Sequence, residues 1–262
     1  MHIAQRLKIS LVLFFFVLCA SCAGIPTQSQ EITSTPTFFQ SAPLQPTPIP
    51  EEPVLFVSNG VPEDWLKKID GFPHISKTEQ KEQANLFFTV HIGKFIEPQV
   101  FSSTRVYAVV EPFFTIRDEI SSNELKDLWS GKAVEGQHQT LVVTEETAQV
   151  IGAVWGKPAG EVQIIPSDGL LAYCEEHPEA LAILPFEDLS PRWKVLRLDG
   201  LSPLDKFLAV DRYPLTIHYT LQSHLSNPSM VSEIVELFSD ALPPTNRDES
   251  KMTVLMMTGT TA

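Results

Sequence analysis

The chain has 262 residues, of which 43% are hydrophobic and 19% charged, a composition that supports a buried core and excludes full disorder. Lysine and arginine total 19 against 32 acidic residues, so the formal net charge of −13 gives no general attraction to nucleic-acid phosphates or anionic membranes. The three cysteines and seven histidines follow no CxxC, HxH or HExxH spacing, so the sequence predicts no structural zinc site, disulfide framework or cofactor.

An export signal is predicted at the N-terminus. Two basic residues precede an apolar run over residues 9–18, which is short for a membrane span but has the length of a secretory-signal core. Residues 18–22 read LCASC and resemble the bacterial lipobox. This resemblance implies that residues 1–21 are removed, that Cys22 is lipidated, and that the chain is anchored on the extracytoplasmic face of the cell membrane. The alternative is an ordinary signal peptide cut near Ala23, or a retained anchor.

Residues 22–53 are predicted to form a tether. Seven prolines stand among Thr, Ser and Gln between Gly24 and Pro53, with almost no charge before Glu51. A segment of this composition buries too little apolar surface to offset the entropy of ordering it. Its proline content favours a semi-extended linker between the lipid and a folded body.

The folded body is predicted to begin at residue 54 and to alternate strands with helices. Apolar runs between turn residues predict strands over 54–57, 86–90, 106–110, 140–143, 162–165, 180–184 and 194–198, with a further apolar and alternating stretch over 213–221. Helix-start signals and apolar spacing predict helices over 62–69, 122–129, 145–154, 168–176 and 229–241. This alternation favours an α/β fold with mostly parallel sheets.

Four stretches of the body carry a family resemblance. Residues 120–132 look like a helix that ends in an aromatic-Ser-Gly-Lys turn, and residues 141–147 look like a strand that leads into a ligand-binding helix. Residues 177–186 look like a further strand of the family. Residues 195–203 and 213–215 match the family's Asp-Gly-x-x-Pro and Tyr-Pro-Leu segments. In this order they resemble the phosphate-type periplasmic solute-binding domains of ABC transporters. The resemblance implies a two-lobed type II fold over residues 54–242, a small-molecule solute, and a transporter permease as partner.

The candidate ligand site lies between the predicted lobes, where strands end and helices begin. Its residues are Ser58, Asn59, Thr144, Glu145 and Thr147. The family's Gly-Ser-Gly-Thr phosphate loop is absent, and Glu145 with Glu146 puts two negative charges where an anion would bind. We therefore expect a ligand other than phosphate. Thr144 also fits a plain helix N-cap, a role that needs no ligand.

The end of the chain carries a second resemblance. After an acidic linker over 243–249, residues 252–262 read as an apolar strand leading into a glycine loop. They resemble the first strand of the poly-gamma-glutamate capsule-synthesis (CapA) family. This implies that residues 243–262 hold a linker and the start of a truncated CapA-like domain, with envelope polymer machinery as partner. A C-terminal strand that adds to the preceding sheet is the alternative.

No catalytic pattern is present in the sequence. A Gly-x-Ser-x-Gly elbow and a Walker loop are both missing, and the neighbours of His91, His138, His177 and His218 assign these histidines no role. The sequence therefore predicts a membrane-tethered solute-binding-like lipoprotein domain with neither catalytic residues nor a metal site. The alternative is the N-terminal accessory part of a truncated capsule-synthesis envelope protein.

Overall fold

The computed structural model describes residues 51–93, 97–132 and 139–255. The predicted signal, the lipidation residue Cys22 and most of the tether lie outside the described residues, as do residues 256–262 of the C-terminal resemblance. Among the described residues, no helix combines the length and apolar character that a membrane crossing needs.

Strands and helices alternate through most of the described chain. The strands are β1 (Val54–Val57), β2 (Ser76–Thr78), β3 (Leu86–Ile92), β4 (Phe101–Pro112), β5 (Glu119–Ile120), β6 (Thr140–Val143), β7 (Gln163–Ile164), β8 (Ala180–Pro185), β9 (Trp193–Val195), β10 (Arg197–Leu198) and β11 (Thr216–Ser223). The helices are α1 (Glu63–Asp70), α2 (Ser122–Trp129), α3 (Glu145–Trp155), α4 (Leu170–Glu176) and α5 (Pro228–Ala241). The predicted bounds of β1, α2 and β6 are confirmed at both ends.

Nine of the described strands form one sheet in the order β2-β1-β3-β11-β4-β8-β6-β7, with β9 paired to β4. The strands at the two ends of this order pair in parallel, but β11 and β4 in the centre run antiparallel to every neighbour. The expectation of mostly parallel sheets is therefore wrong, and the sheet is mixed. Strand β11 returns from late in the chain and lies antiparallel between β3 and β4, which do not pair with each other, and β4 also runs antiparallel to β8.

Strand β4 joins a first half of this sheet, formed with β2, β1, β3 and β11, to a second half, formed with β8, β6, β7 and β9. Residues 101–106 pair with β11, whereas residues 107–112 pair with β8 and β9. The register changes partner between Val106, opposite Thr216, and Tyr107, opposite Pro185. Arg105 therefore lies where the strand passes from the first half of the sheet to the second.

Strands β4, β6 and β8 are buried on both faces in the second half of the sheet. Val109 of β4 and Ile183 of β8 belong to the larger hydrophobic core, while Ala108 and Ala182 on the opposite face pack in a smaller core with Cys174 of α4. Because strands buried on both faces need apolar residues at successive positions, they appear in the sequence as continuous apolar runs.

Four short strands differ from the predicted elements. Strands β2 and β5 are not predicted, and the predicted strand over 194–198 is divided into β9 and β10. The division arises because the Leu196 amide donates to the Val109 carbonyl of β4, whereas the Arg197 amide donates to the Asp118 carbonyl before β5. The chain thus leaves the large sheet and enters a separate parallel pair formed by β10 and β5.

The segment after α5 packs against the domain, although the sequence analysis assigns residues 243–249 to a linker. The Thr104 amide of β4 donates to the Pro244 carbonyl at 2.9 Å. The Asn246 side chain accepts from the Val106 amide at 2.7 Å and donates to the Val106 carbonyl at 3.0 Å, as a paired strand would. This segment therefore extends the hydrogen bonding of β4.

Arg247 fixes the same segment to a second part of the domain. It is 2% exposed, and its guanidinium donates to the carbonyls of Pro203 and Asp205 while lying over the Phe186 ring. Beyond it, residues 252–255 form no strand. The rest of the predicted C-terminal strand lies outside the described residues.

Candidate functional site

The loop after β1 lies directly against α3. The Ser58 amide donates to the Phe88 carbonyl at 3.0 Å, and the Val90 amide donates to Ser58 Oγ at 3.1 Å, so the loop is fixed on β3. Gly60 has φ of +88°, and a Cβ atom at this position would lie 2.4 Å from the Cβ of Ala153 in α3. Both the left-handed backbone and the close approach therefore require glycine here.

Two adjoining cavities of the described chain share this loop. The first, of about 590 Å³, lies between the loop and α3, and the second, of about 1000 Å³, extends along β1 to β2. Polar residues lining the first cavity are Ser58, Asn59, Glu145, Gln149 and Lys157. Small-molecule sites usually have volumes of about 300–1,000 Å³, so both cavities have the size of a solute site.

The structure brings three of the five predicted site residues together. Ser58, Asn59 and Glu145 line the first cavity. Thr144 instead caps α3, because its Oγ1 accepts from the Thr147 amide at 3.1 Å and lies 3.0 Å from the Thr147 hydroxyl. Thr147 is 1% exposed, so its hydroxyl is used inside the protein. The capping role considered for Thr144 is the one that the structure shows.

Both signs of charge border the first cavity. Glu145 is exposed in the first turn of α3, where its carboxylate accepts from the Gln149 side chain at 3.3 Å. Lys157 lies just beyond the other end of the same helix and lines the same cavity. With the amides of Asn59 and Gln149, this arrangement offers donors, acceptors and one carboxylate to a polar solute.

Glu146, the next residue of α3, faces Arg105 rather than the cavity. Its Oε1 lies 3.0 Å from Nη1 of Arg105, whose Nη2 donates to Glu187 in the turn after β8. The guanidinium carbon lies 5.8 Å from the centre of the Trp65 ring in α1. The sequence predicted two negative charges where an anion would bind. The structure places only Glu145 at the cavity, because Glu146 pairs with Arg105.

Sequence reasoning missed this group, which we call the Arg105 cluster: Arg105, Glu146, Glu187 and Asn246. The Arg105 side chain is 11% exposed, and Asn246 donates to the second oxygen of Glu187. Burial, together with the charges of Glu187 and Glu146, raises the pKa of the neighbouring Asp188 carboxyl. Negative charge therefore exceeds positive charge around the single guanidinium.

The described residues hold neither a grouped set of metal ligands nor an ionised thiol. Among residues 51–93, 97–132 and 139–255, no group of three or more His, Cys, Asp or Glu side chains is arranged to hold a metal ion. Cys174 is fully buried in α4, and burial raises the pKa of its thiol to about 11. A neutral, buried thiol of this kind packs as a small apolar group.

Comparison with known proteins shows which fold this is. No protein-family model and no curated protein matches the chain. An ABC-type phosphate transport receptor from Vibrio cholerae matches with a TM-score of 0.53 and 9% identity, over 72% of this chain and 98% of that one. The chain has a periplasmic-binding-protein-like fold.

Two further structures are similar at lower scores. A possible phosphate binding protein from Planctomyces limnophilus has a TM-score of 0.47 and 11% identity, over 72% of this chain and 98% of that one. PstS from Borrelia burgdorferi has a TM-score of 0.47 and 7% identity, over 71% of this chain and 91% of that one. The likeness to the Vibrio receptor shows the fold alone, because the two chains share only 9% of their residues.

The first cavity lies at the carboxyl ends of two parallel strands of this fold. The loop after β1 follows the carboxyl end of one parallel strand, and α3 follows the carboxyl end of β6, another. Open α/β sheets bind their ligands in crevices at such strand ends. The cavity between Ser58 and Glu145 is therefore the candidate ligand site of this chain.

Proposed function

We propose that the chain is a membrane-tethered, extracytoplasmic solute-binding-like lipoprotein domain, whose solute binds in the first cavity between the β1 loop and α3. The observation that carries this proposal is the position of Ser58, Asn59 and Glu145 around one cavity of about 590 Å³ at the carboxyl end of β1. The likeness of the fold to a transport receptor supports a binding role over a catalytic one.

We expect a neutral or cationic solute rather than inorganic phosphate, although Lys157 also lines this cavity. The Glu145 carboxylate projects from the first turn of α3, where a bound anion would need the free amides. The Thr147 amide already donates to the Thr144 hydroxyl, so one fewer amide is free to donate to a bound anion. Repulsion between two like charges about 4 Å apart costs about 4 kcal/mol at an effective dielectric constant of 20 and about 1 kcal/mol in bulk water, and the cost at the exposed Glu145 lies between these values. That exceeds the roughly 1 kcal/mol that a helix dipole contributes.

The proposed location rests on the N-terminal sequence pattern. A lipid on Cys22 would anchor the chain in the membrane, and the proline-rich tether would connect this anchor to the domain on the extracytoplasmic side. A diacylated cysteine has the two chains that stable anchoring requires. A transporter permease is the partner that this arrangement would serve.

One observation favours the alternative, an accessory domain of a capsule-synthesis envelope protein. Val254 and Leu255 are 69% and 78% exposed and pair with no strand of the described sheet, as expected for residues that belong to a following unit. The coding sequence downstream of residue 262 tests this alternative. Asp, Asn and His residues in a metallophosphatase arrangement would support it, and a neighbouring permease gene would favour the transport role.

The binding proposal is tested by native mass spectrometry of the purified chain, to identify a retained solute, followed by calorimetric titration with that solute. Asn59→Ala and Glu145→Gln should each weaken binding at least about tenfold, the effect of losing about 1.4 kcal/mol. Glu176→Gln, an exposed change in α4, serves as the matched control. Micromolar phosphate binding by the unmodified chain, or a solute whose affinity neither cavity variant changes, would contradict the proposal.

A further inference from the structure

The Arg105 cluster has the composition of an occupied anion site. One guanidinium, with its side chain 11% exposed, donates to two carboxylates through its two terminal nitrogens and lies against an aromatic ring. Arginine binds carboxylates and phosphates through the same planar pair of donors. The oxygens of Glu146 and Glu187 therefore occupy the positions that the oxygens of an external oxyanion would take.

The cluster joins the two halves of the sheet. Arg105 lies on β4 next to Val106, the last residue that pairs with β11, and Trp65 belongs to α1 in the first half. Glu146 and Glu187 come from α3 and from the turn after β8, both in the second half. The two ion pairs thus make the kind of contact between the halves that a bound ligand would make.

Glu187 is held in place by a further partner. One of its oxygens accepts from Arg105 and the other from Asn246. Asn246 is itself fixed by two hydrogen bonds to the backbone of Val106, next to Arg105 on β4. The position of this carboxylate is therefore set before any external ligand arrives.

We propose that Arg105 is the centre of an anion-binding site that the protein fills with its own carboxylates, Glu146 and Glu187. These internal anions hold the two halves together without an external ligand. The site is separate from the first cavity, so the inference goes beyond the proposed solute-binding function and does not depend on it.

The charges around Arg105 explain why an external anion does not displace the internal ones. Three carboxylates, those of Glu146, Glu187 and Asp188, surround one guanidinium, and the surplus of negative charge raises the pKa of Asp188 in addition to its burial. A phosphate ion approaching the intact cluster would be repelled. Removing the two carboxylates that contact Arg105 should leave a buried cation whose charge an external oxyanion can neutralise.

The experiment is chemical rescue of the full chain. Glu146→Ala/Glu187→Ala is expected to have a lower melting temperature than the unmodified protein. Sodium phosphate or sodium acetate, compared with sodium chloride at equal ionic strength, should raise it again, by about 3–6 °C at a tenfold excess over Kd. The same anions should not stabilise the unmodified protein, and phosphate should bind the double variant at least tenfold more tightly.

Two controls separate this site from a general effect of lost charge. Glu176→Ala/Glu233→Ala removes two exposed carboxylates and should create no response to phosphate. Adding Arg105→Met to the double variant should abolish the rescue, because the cation is gone. If the double variant does not fold, Glu146→Ala alone is used, since this side chain is 52% exposed and its loss leaves the other pair intact.

Three results would overturn the proposal. In the first, the double variant folds but phosphate and acetate stabilise it no more than chloride does. In the second, the rescue is equally large when Arg105→Met is added. In the third, it is equally large in the Glu176→Ala/Glu233→Ala control. Solute binding in the first cavity is measured separately, so either proposal can fail while the other stands.

Discussion

Arg247→Ala is the substitution that tests most directly whether the segment after α5 belongs to the folded domain. The Arg247 side chain is buried and donates to the backbone carbonyls of Pro203 and Asp205. Each buried carbonyl left without a donor costs about 1–3 kcal/mol, while removing the cation recovers part of its desolvation cost. We expect a net loss of about 3 kcal/mol in the free energy of unfolding. For a domain of about 150–250 residues, this lowers the melting temperature by about 6–12 °C.

The assay is urea and thermal unfolding of the full chain, followed by circular dichroism. Arg212→Ala is the matched control, because Arg212 is exposed, and it should change stability by no more than about 0.5 kcal/mol. Arg247→Lys keeps the charge but loses the planar set of donors, so its loss should be intermediate. If Arg247→Ala stays within about 0.5 kcal/mol of the unmodified protein, the reasoning is wrong and residues 243–249 act as a linker.

Three further predictions concern single groups. Cys22→Ala should abolish partitioning of the protein into detergent, and equal partitioning of a correctly cleaved variant would contradict lipidation. Cys174 should react with a thiol reagent only as fast as the protein unfolds, since burial raises its pKa to about 11, so rapid labelling of the native state would contradict this. His91 and His218 are stacked with ring centres 5.4 Å apart; burial lowers both pKa values, that of His91 to about 4 with a further contribution from His218. These folded-state pKa values lie below the unfolded value of about 6.5. The stabilising contribution of the two neutral histidines is therefore fully present above about pH 6.5 and is lost as the pH falls towards 4. Urea unfolding at pH 7.5 and 4.5 should show a smaller pH effect in His91→Leu, and an unchanged effect would refute this.

Local sequence signals were sufficient for most of the elements. Strands buried on both faces, such as β6 and β8, appear as uninterrupted apolar runs, and Ser121 caps α2 where the sequence predicts its start. Pairing was harder to predict, because whether two strands run parallel depends on residues far apart in the chain. Strand β2, with the sequence SKT, has no apolar pattern from which to predict it.

Part of the candidate site could also be predicted from local sequence signals. Ser58, Asn59 and Glu145 could be placed because ligands in such folds bind at the carboxyl ends of strands. The Arg105 cluster was not predicted, because the predicted strand began at residue 106 and left Arg105 in a polar segment. Continuing the two-residue alternation back from Tyr107 puts Arg105 on the same face as that buried side chain, and this signal was available. Its partners Glu187 and Asn246 are adjacent to it only in three dimensions.

The position of β11 has a consequence for how this protein is made. β11 begins at Thr216, yet in the sheet it separates β3 from β4, which ends at Pro112. During synthesis the sheet therefore lacks the strand that joins β3 to β4 until nearly the whole body has been made. Until then β3 and β4 expose unpaired edges, and pairings between such distant segments form slowly. A chain released before residue 216 would thus yield aggregation-prone sheet edges rather than a stable half-domain.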